Sequence, residues 1–284
     1  MNKLFPLFTA VRTLFAIFLF LLLCPPSSAQ TRTLTLDDVK FDETTGTVVS
    51  YLSDYDQISI PNEFNGVSVR NIGAGVFLNK GIRQLKLPLS LKTIQTAAFS
   101  YNHIDSLILP DGVESIGVAA FQQSGARFLS LPQNIKHIAN NAFTGNNITT
   151  FTIPCSLDTI DGFSGAGVRE ISIPSTVSVI ASSAFAGNHF DKIHIEEGVR
   201  EIGEYAFWCE VTRLDTLLLN LPPLPDDPHV ATLEIPSTVR NIGEGAFEGQ
   251  RSIHTIVLKD GLVNIGKYAF LQKQHRHADN PINS

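Results

Sequence analysis

The chain has 284 residues, of which 43% are hydrophobic and 17% are charged, and its formal net charge is −6. A chain of this composition is able to bury a core, which excludes an intrinsically disordered protein. The acidic balance argues against nucleic acid as a partner, because binding to nucleic acid depends on clustered basic residues.

Residues 1–29 have the pattern of a secretory signal peptide. A basic start, "MNKLFPLFTAVR", is followed by the apolar "TLFAIFLFLLLC" and then by small residues at Ser27 and Ala29. These are the three regions of such a leader, so we predict cleavage after Ala29 and export to the cell surface or the medium. The alternative is a membrane anchor, but the unbroken apolar run is well short of the ~20 residues that a spanning helix needs. We therefore expect no membrane span after cleavage, and a mature net charge of about −8.

Residues 30–57 follow the leader and contain "VKFDETTGTVVSYL", in which "DETTG" separates two runs of alternating hydrophobicity. This pattern predicts a β-hairpin. Because the exposed edge of a repetitive sheet promotes aggregation, we interpret the hairpin as the N-terminal cap of the fold that follows.

Residues 58–270 repeat one phrase, "IGxxAF", at nearly constant spacing. Its phenylalanines lie at 77, 99, 121, 143, 163, 185, 207, 247 and 270. Upstream of most copies an LxL segment with alternating apolar residues is followed by proline, as in "LKLP", "LILP" and "LSLP". Alternation with period two predicts a short strand, and proline ends it because it lacks a backbone donor. One repeat cannot bury its apolar residues alone, so the pattern predicts stacked turns with the phenylalanines in single file.

The consensus "LxxLxLPxxVxxIGxxAFxxN" resembles the BspA-type leucine-rich repeats, a family of bacterial and protozoan surface proteins. The resemblance implies a repeat solenoid, a right-handed leucine-rich-repeat superhelix with a long parallel β-sheet on one face. It also implies adhesion to host matrix proteins, to other cells or to other bacteria. We count about ten turns, with strands expected at 58/60, 85/87, 107/109, 129/131, 151/153, 171/173, 193/195, 217/219, 233/235 and 256/258.

Two repeats depart from the consensus. The step to Phe163 is two residues short, which indicates a clipped turn. The step to Phe247 spans 40 residues and contains the expected strand at 217/219, followed by a Pro-rich insertion at 220–228, "NLPPLPDDP". Such proline density favours an extended excursion. Residues 271–284 form a polar C-terminal tail.

Few residues suggest chemistry. Glycines after isoleucine, such as Gly117, and asparagines after the AF phrase, such as Asn102, are interpreted as residues of left-handed or tight turns. Cys155 and Cys209 are expected about two turns apart, roughly 10 Å, beyond the ~7 Å that a disulfide allows, so both are predicted to remain thiols. We predict no enzymatic activity, no catalytic residue, no cofactor and no metal site.

The outward face of the predicted sheet is the remaining candidate for function. Its side chains combine charge, hydroxyl groups and a few apolar residues, which suits recognition of a polar macromolecule. We predict binding of an extracellular protein or glycan, such as a host matrix protein. The alternative is a structural spacer or scaffold without a specific ligand. The candidate partner-binding residues are Arg83, Lys86, Arg127, Arg169 and His194.

Overall fold

The computed structural model describes residues 31–210, 231–250 and 252–271. Within these residues the chain forms a β-solenoid of about ten turns with parallel sheets, as the repeat predicts. No helix that could cross a bilayer occurs in this part of the chain. Four predicted features lie outside the described residues: the signal peptide at 1–29, the strand at 217/219, the insertion at 220–228, and all but the first residue of the tail at 271–284.

Each turn contributes strands to two layers. The LxL layer consists of β1 (Arg32–Thr33), β4 (Gln57–Ser59), β8 (Gln84–Lys86), β10 (Ser106–Ile108), β12 (Phe128–Ser130), β15 (Glu170–Ile173), β17 (Lys192–Ile195), β19 (Ala231–Ile235) and β21 (Ile253–Leu258). The IG layer consists of β3 (Thr47–Tyr51), β7 (Asn71–Ile72), β9 (Thr93–Ile94), β11 (Ser115–Ile116), β13 (His137–Ile138), β14 (Thr159–Ile160), β16 (Val179–Ile180), β18 (Glu201–Ile202), β20 (Asn241–Ile242) and β22 (Asn264–Ile265). The sequence predicted strands for the first layer only. The second layer was interpreted as an extended stretch, because its two-residue strands are too short to show alternation.

The N-terminal segment contains the antiparallel hairpin, formed by β2 (Val39–Asp42) and β3. It does more than cover an edge, since β3 pairs in parallel with β7 and β1 pairs in parallel with β4. Tyr51 also lies against Phe77, with ring centroids 5.0 Å apart. The segment therefore builds the first turn itself, and β2 protects its outer edge. A second small hairpin joins β5 (Glu63–Phe64) to β6 (Val67–Ser68).

The phenylalanine file is confirmed. All nine rings of the AF phrases follow one another, with consecutive centroids 5.0–5.7 Å apart and interplanar angles of 1–16°. Seven of them, from Phe77 to Phe207, have no exposed surface. Offset stacking of this kind adds to the burial of each ring, so the file is the centre of the core.

The LxL layer, the parallel sheet predicted for one face, is not a continuous ladder. In the described residues this layer is divided into the separate groups β1-β4-β8, β10-β12, β15-β17 and β19-β21. No strand forms at 151–153, where one was expected. Phe151 holds an inward position that leucine or isoleucine holds in other turns, and its ring lies 4.2 Å from that of Phe163. The missing strand thus lies in the turn that leads to the clipped step at Phe163.

The IG layer is more continuous, with a six-stranded sheet from β2 to β13 and a five-stranded sheet from β14 to β22. Its single break lies at the clipped turn. There Phe163 still joins the file, because the amide of Phe143 donates to the carbonyl of Gly162 at 2.8 Å. Both layers are therefore interrupted near this turn, while the file of phenylalanines continues through it.

The 40-residue step joins two turns that stack directly on each other. Strand β18 pairs directly with β20, in the register Ile202↔Ile242, and the rings of Phe207 and Phe247 are 5.0 Å apart. Within the described residues these two turns are therefore neighbours in the stack, and the strand expected at 217/219 remains a prediction.

The glycines after isoleucine lie directly before a turn, as predicted, but their backbones are not left-handed. A Cβ on Gly117 would lie 2.7 Å from the amide nitrogen of Thr96, and one on Gly203 would lie 2.5 Å from that of Ser182. These glycines allow the backbones of neighbouring turns to approach closely. The left-handed residues lie two positions before phenylalanine, as at Ala97 (φ 53°).

The asparagines after the AF phrase were likewise misinterpreted. The side chain of Asn102 is buried, and its Nδ2 donates to the carbonyls of Phe77 and Phe99, each at 2.8 Å. Its Oδ1 accepts from the amide of Ile82 at 2.9 Å. Asn146 and Asn188 make equivalent bonds. These amides satisfy buried backbone groups of two successive turns, which is a bonding role and not a conformational one.

Candidate binding face

Two columns of side chains point outward from the LxL layer. The middle column contains Ser59, Lys86, Ile108, Ser130, Thr152, Ser172, His194, Glu234 and Val257. The preceding column, two residues earlier in each turn, contains Gln57, Gln84, Ser106, Phe128, Thr150, Glu170, Lys192, Thr232 and Thr255. We call these two columns the binding face. Its composition is polar except at three positions, and the neighbouring inward positions are buried in most turns, although Ile256 and Leu258 of β21 are exposed.

The three predicted arginines flank this face, and each forms an ion pair with an aspartate of an adjacent turn. Arg83 Nε lies 3.5 Å from Asp56, and Arg127 Nε lies 3.4 Å from Asp105. The two pairs are well exposed, so they contribute little to stability.

Arg169 makes the most specific of these pairs. Its Nε and Nη2 donate to the two carboxylate oxygens of Asp191 at 2.7 and 2.9 Å. This bidentate bond raises the pKa of Arg169 above its ordinary value. Together the pairs form a column of alternating charge beside the binding face.

The other two predicted residues lie on the face itself and are exposed: Lys86 on β8 and His194 on β17. Within the described residues no carboxylate lies within 4.0 Å of the Lys86 ammonium group. Five turn spacings separate the two residues, or roughly 24 Å at the usual strand separation. The five predicted residues are thus spread along the solenoid and do not form one compact site.

Sequence reasoning did not single out two apolar side chains near the middle of the face. Ile108 is 66% exposed and Phe128 is 55% exposed. Strands β10 and β12 pair with Ser106 opposite Phe128 and Ile108 opposite Ser130, so the two apolar residues are diagonal neighbours. The signal was present in the sequence, since both occupy columns that other turns fill with polar residues.

The IG layer carries a different arrangement of charge. Glu114 lies between Lys92 and Lys136, with contacts of 3.0 and 2.6 Å. The hydrogen bonds from Lys136 and Lys92 lower the pKa of Glu114. This ladder joins three successive turns, and its charges are largely satisfied within the protein.

The two cysteines form no disulfide in the described structure. Cys155 is exposed, whereas Cys209 is buried with its Sγ 3.2 Å from Nδ1 of His189. A cavity of about 140 Å³ lies beside His189 and Asp191. Among the described residues, no three histidine, cysteine or acidic side chains are grouped so that they could hold a metal ion.

The two-layered turns with leucine and isoleucine inside define a leucine-rich-repeat solenoid. A comparison with family models matches the BspA type leucine-rich repeat region in six copies, over residues 50–164, 161–220 and 227–282. These matches cover most of the chain, which therefore belongs to the BspA-type leucine-rich repeat family. The comparison with curated proteins finds no match.

Solved structures of leucine-rich repeat proteins are also similar to the chain. One from Bacteroides ovatus is 18% identical, with 77% of this chain and 78% of that chain covered and a TM-score of 0.33. One from T. pallidum is 18% identical, with 83% and 86% covered and a TM-score of 0.39. The pneumococcal vaccine antigen PcpA is 20% identical, with 84% and 62% covered and a TM-score of 0.41. At these values the similarities add nothing to what the family match establishes.

Proposed function

We propose that the protein is a non-enzymatic recognition protein of the cell surface or medium that binds an extracellular protein or glycan through its binding face. Three features support export and recognition: the leader at residues 1–29, membership of the BspA-type family, and a face that ordinary stacking does not require. The observation that carries the proposal is the apolar pair Ile108 and Phe128 inside a polar surface. A polar rim around an exposed apolar centre is the usual anatomy of a recognition surface.

The proposal is tested by binding of the mature chain, residues 30–284, to a panel of purified host matrix proteins and to a glycan array. A variant with Arg83, Arg127 and Arg169 changed to Glu should lose its partner while remaining folded. The three side chains are 55–75% exposed, so reversal of their charge has a small effect on stability.

A matched control reverses the same number of charges on the other layer. In this control Lys92, Lys136 and Arg200, all exposed, are changed to Glu. We expect the control to bind as the unmodified protein does, because its altered residues lie in the turns of the IG layer. Equal binding by all three proteins would favour a scaffold role or another face. Protease shaving of intact cells would test the surface location.

A further inference from the structure

The exposed apolar pair is the feature of the binding face that the fold explains least. Isolated apolar residues on a protein surface are common and need no explanation. Ile108 and Phe128 differ because they are adjacent, since side chains two residues apart on neighbouring strands lie within about 8 Å. Each is more than half exposed. Their positions are therefore close enough that one group of a partner can contact both side chains.

The comparison with equivalent positions shows that the solenoid does not need this surface. In the other described turns the same two columns hold serine, threonine, glutamine or charged residues, apart from Val257 in the last turn. Those turns stack equally well, and their phenylalanines have the same spacing. The apolar pair is thus specific to the turns of β10 and β12 and contributes nothing that the repeat requires.

Charged side chains lie near the pair. Three of them are basic: Lys86 one turn before Ile108 in the same column, Arg127 directly before Phe128, and Arg83 in the turn of Lys86. Asp56 and Asp105 pair with the two arginines, so Lys86 is the basic side chain of the binding face next to Ile108 that has no carboxylate within 4.0 Å among the described residues. A partner that complements this region offers a carboxylate close to an apolar group.

We infer that Ile108, Phe128 and Lys86 form the binding hot spot of the protein, and that its partner is a polypeptide segment with an apolar side chain next to an acidic residue. The inference rests on the proposed function and names the class of partner. A glycan fits less well, because the hydroxyl groups of a sugar lose their hydrogen bonds with water against Ile108 and gain none there. An apolar side chain gains by leaving water at the same place.

The test uses a phage-displayed library of random dodecapeptides, selected against the immobilised mature chain, with enriched peptides resynthesised for fluorescence anisotropy. We expect the enriched peptides to share an apolar residue adjacent to Asp or Glu. Phe128→Ser and Ile108→Ser should each weaken their binding by about tenfold or more, as expected for a hot-spot residue. Lys86→Gln should weaken it less and reduce its dependence on salt.

Val257→Ser is the matched control, because Val257 is 41% exposed in the same column as Ile108 but lies on β21. Its peptide affinity should equal that of the unmodified protein. Three outcomes would overturn the inference. The enriched peptides could bind the Phe128→Ser variant as well as the unmodified protein, or the selection could enrich no peptides beyond those obtained with that variant. Glycans could also bind in a way that requires Phe128 while no peptide binds. The variant with Arg83, Arg127 and Arg169 changed to Glu separates the two proposals. If it loses a partner that the Phe128→Ser variant still binds, recognition through the binding face is supported and the proposed hot spot is refuted.

Discussion

The single file of phenylalanines leads to a quantitative prediction about Phe121. This side chain has no exposed surface, and its ring stacks on Phe99 at 5.3 Å and on Phe143 at 5.7 Å. Replacement of a buried phenylalanine by alanine costs about 3–5 kcal/mol of unfolding free energy, through lost burial and the cavity that remains. Two stacked neighbours place Phe121→Ala in the upper half of that range, because each aromatic pair contributes about 0.5–1.5 kcal/mol beyond burial.

Phe270 is the matched comparison, since it occupies the same position in the last AF phrase. It is only partly buried, and among the described rings it stacks on Phe247 alone, at 5.5 Å. We expect Phe270→Ala to cost about half as much as Phe121→Ala, because half of the stacking and part of the burial are absent.

Equilibrium unfolding in urea, followed by circular dichroism, measures both changes. A central disruption should also reduce the cooperativity of unfolding, because turns in a solenoid are coupled only to their neighbours. Equal free-energy losses for the two variants would refute the view that the file is a cooperative core, and would mean that each ring acts only within its own turn.

Two further predictions concern the close approach of backbones and a partly buried carboxyl group. Gly203→Ala should destabilise the protein more than Gly75→Ala, because the added Cβ would lie 2.5 Å from the backbone of Ser182. A Cβ on Gly75 would meet open space, and the only cost there is the left-handed φ of 64°. A lower thermal unfolding midpoint for Gly75→Ala than for Gly203→Ala would contradict the close-approach role of Gly203. Burial raises the pKa of Asp161 despite a hydrogen bond from the amide of Gly162. The folded state therefore favours the protonated carboxyl group, and this contribution to the free energy of unfolding is fully present below the unfolded pKa of about 3.9. The contribution is lost as the pH rises through the pKa of the folded state. Asp161→Asn should therefore raise the unfolding midpoint at pH 7 but not near pH 3, and the exposed Asp111→Asn control should raise it at neither; an equal rise for both would show that net charge, not burial, is responsible.

The core could be predicted from the sequence because its positions repeat. Phe99 and Phe270 follow Ala at the same point of their phrases, and any repeat that places them alike must stack them when the turns are in register. The inward residues of the LxL strands were predictable for the same reason, since alternation with period two identifies the buried side.

The roles of glycine and asparagine could not be predicted in the same way, because both depend on contacts between turns. Gly117 and Asn102 each interact with atoms 20 or more residues away in sequence. Within one turn, the conformational preferences of glycine and asparagine offer a sufficient explanation, and it is the wrong one. Only the stacked backbone shows that Gly117 provides space and that Asn102 bonds two carbonyls and an amide.

The residues of the candidate site are recognised by departing from the repeat, whereas the core residues are recognised by following it. Stacking constrains the inward columns and leaves the outward columns free, so a repeat that served only as a scaffold would gain solubility from polar residues at every outward position. Ile108 and Phe128 break that pattern in adjacent strands, at a place where burial gives no reward within the monomer. A spacer role therefore leaves both residues unexplained, whereas recognition of an apolar group accounts for both at once. For the same reason, apolar residues that interrupt a polar outward column are a better guide to function in this fold than the charged residues selected from the sequence. The three selected arginines already form ion pairs within the protein.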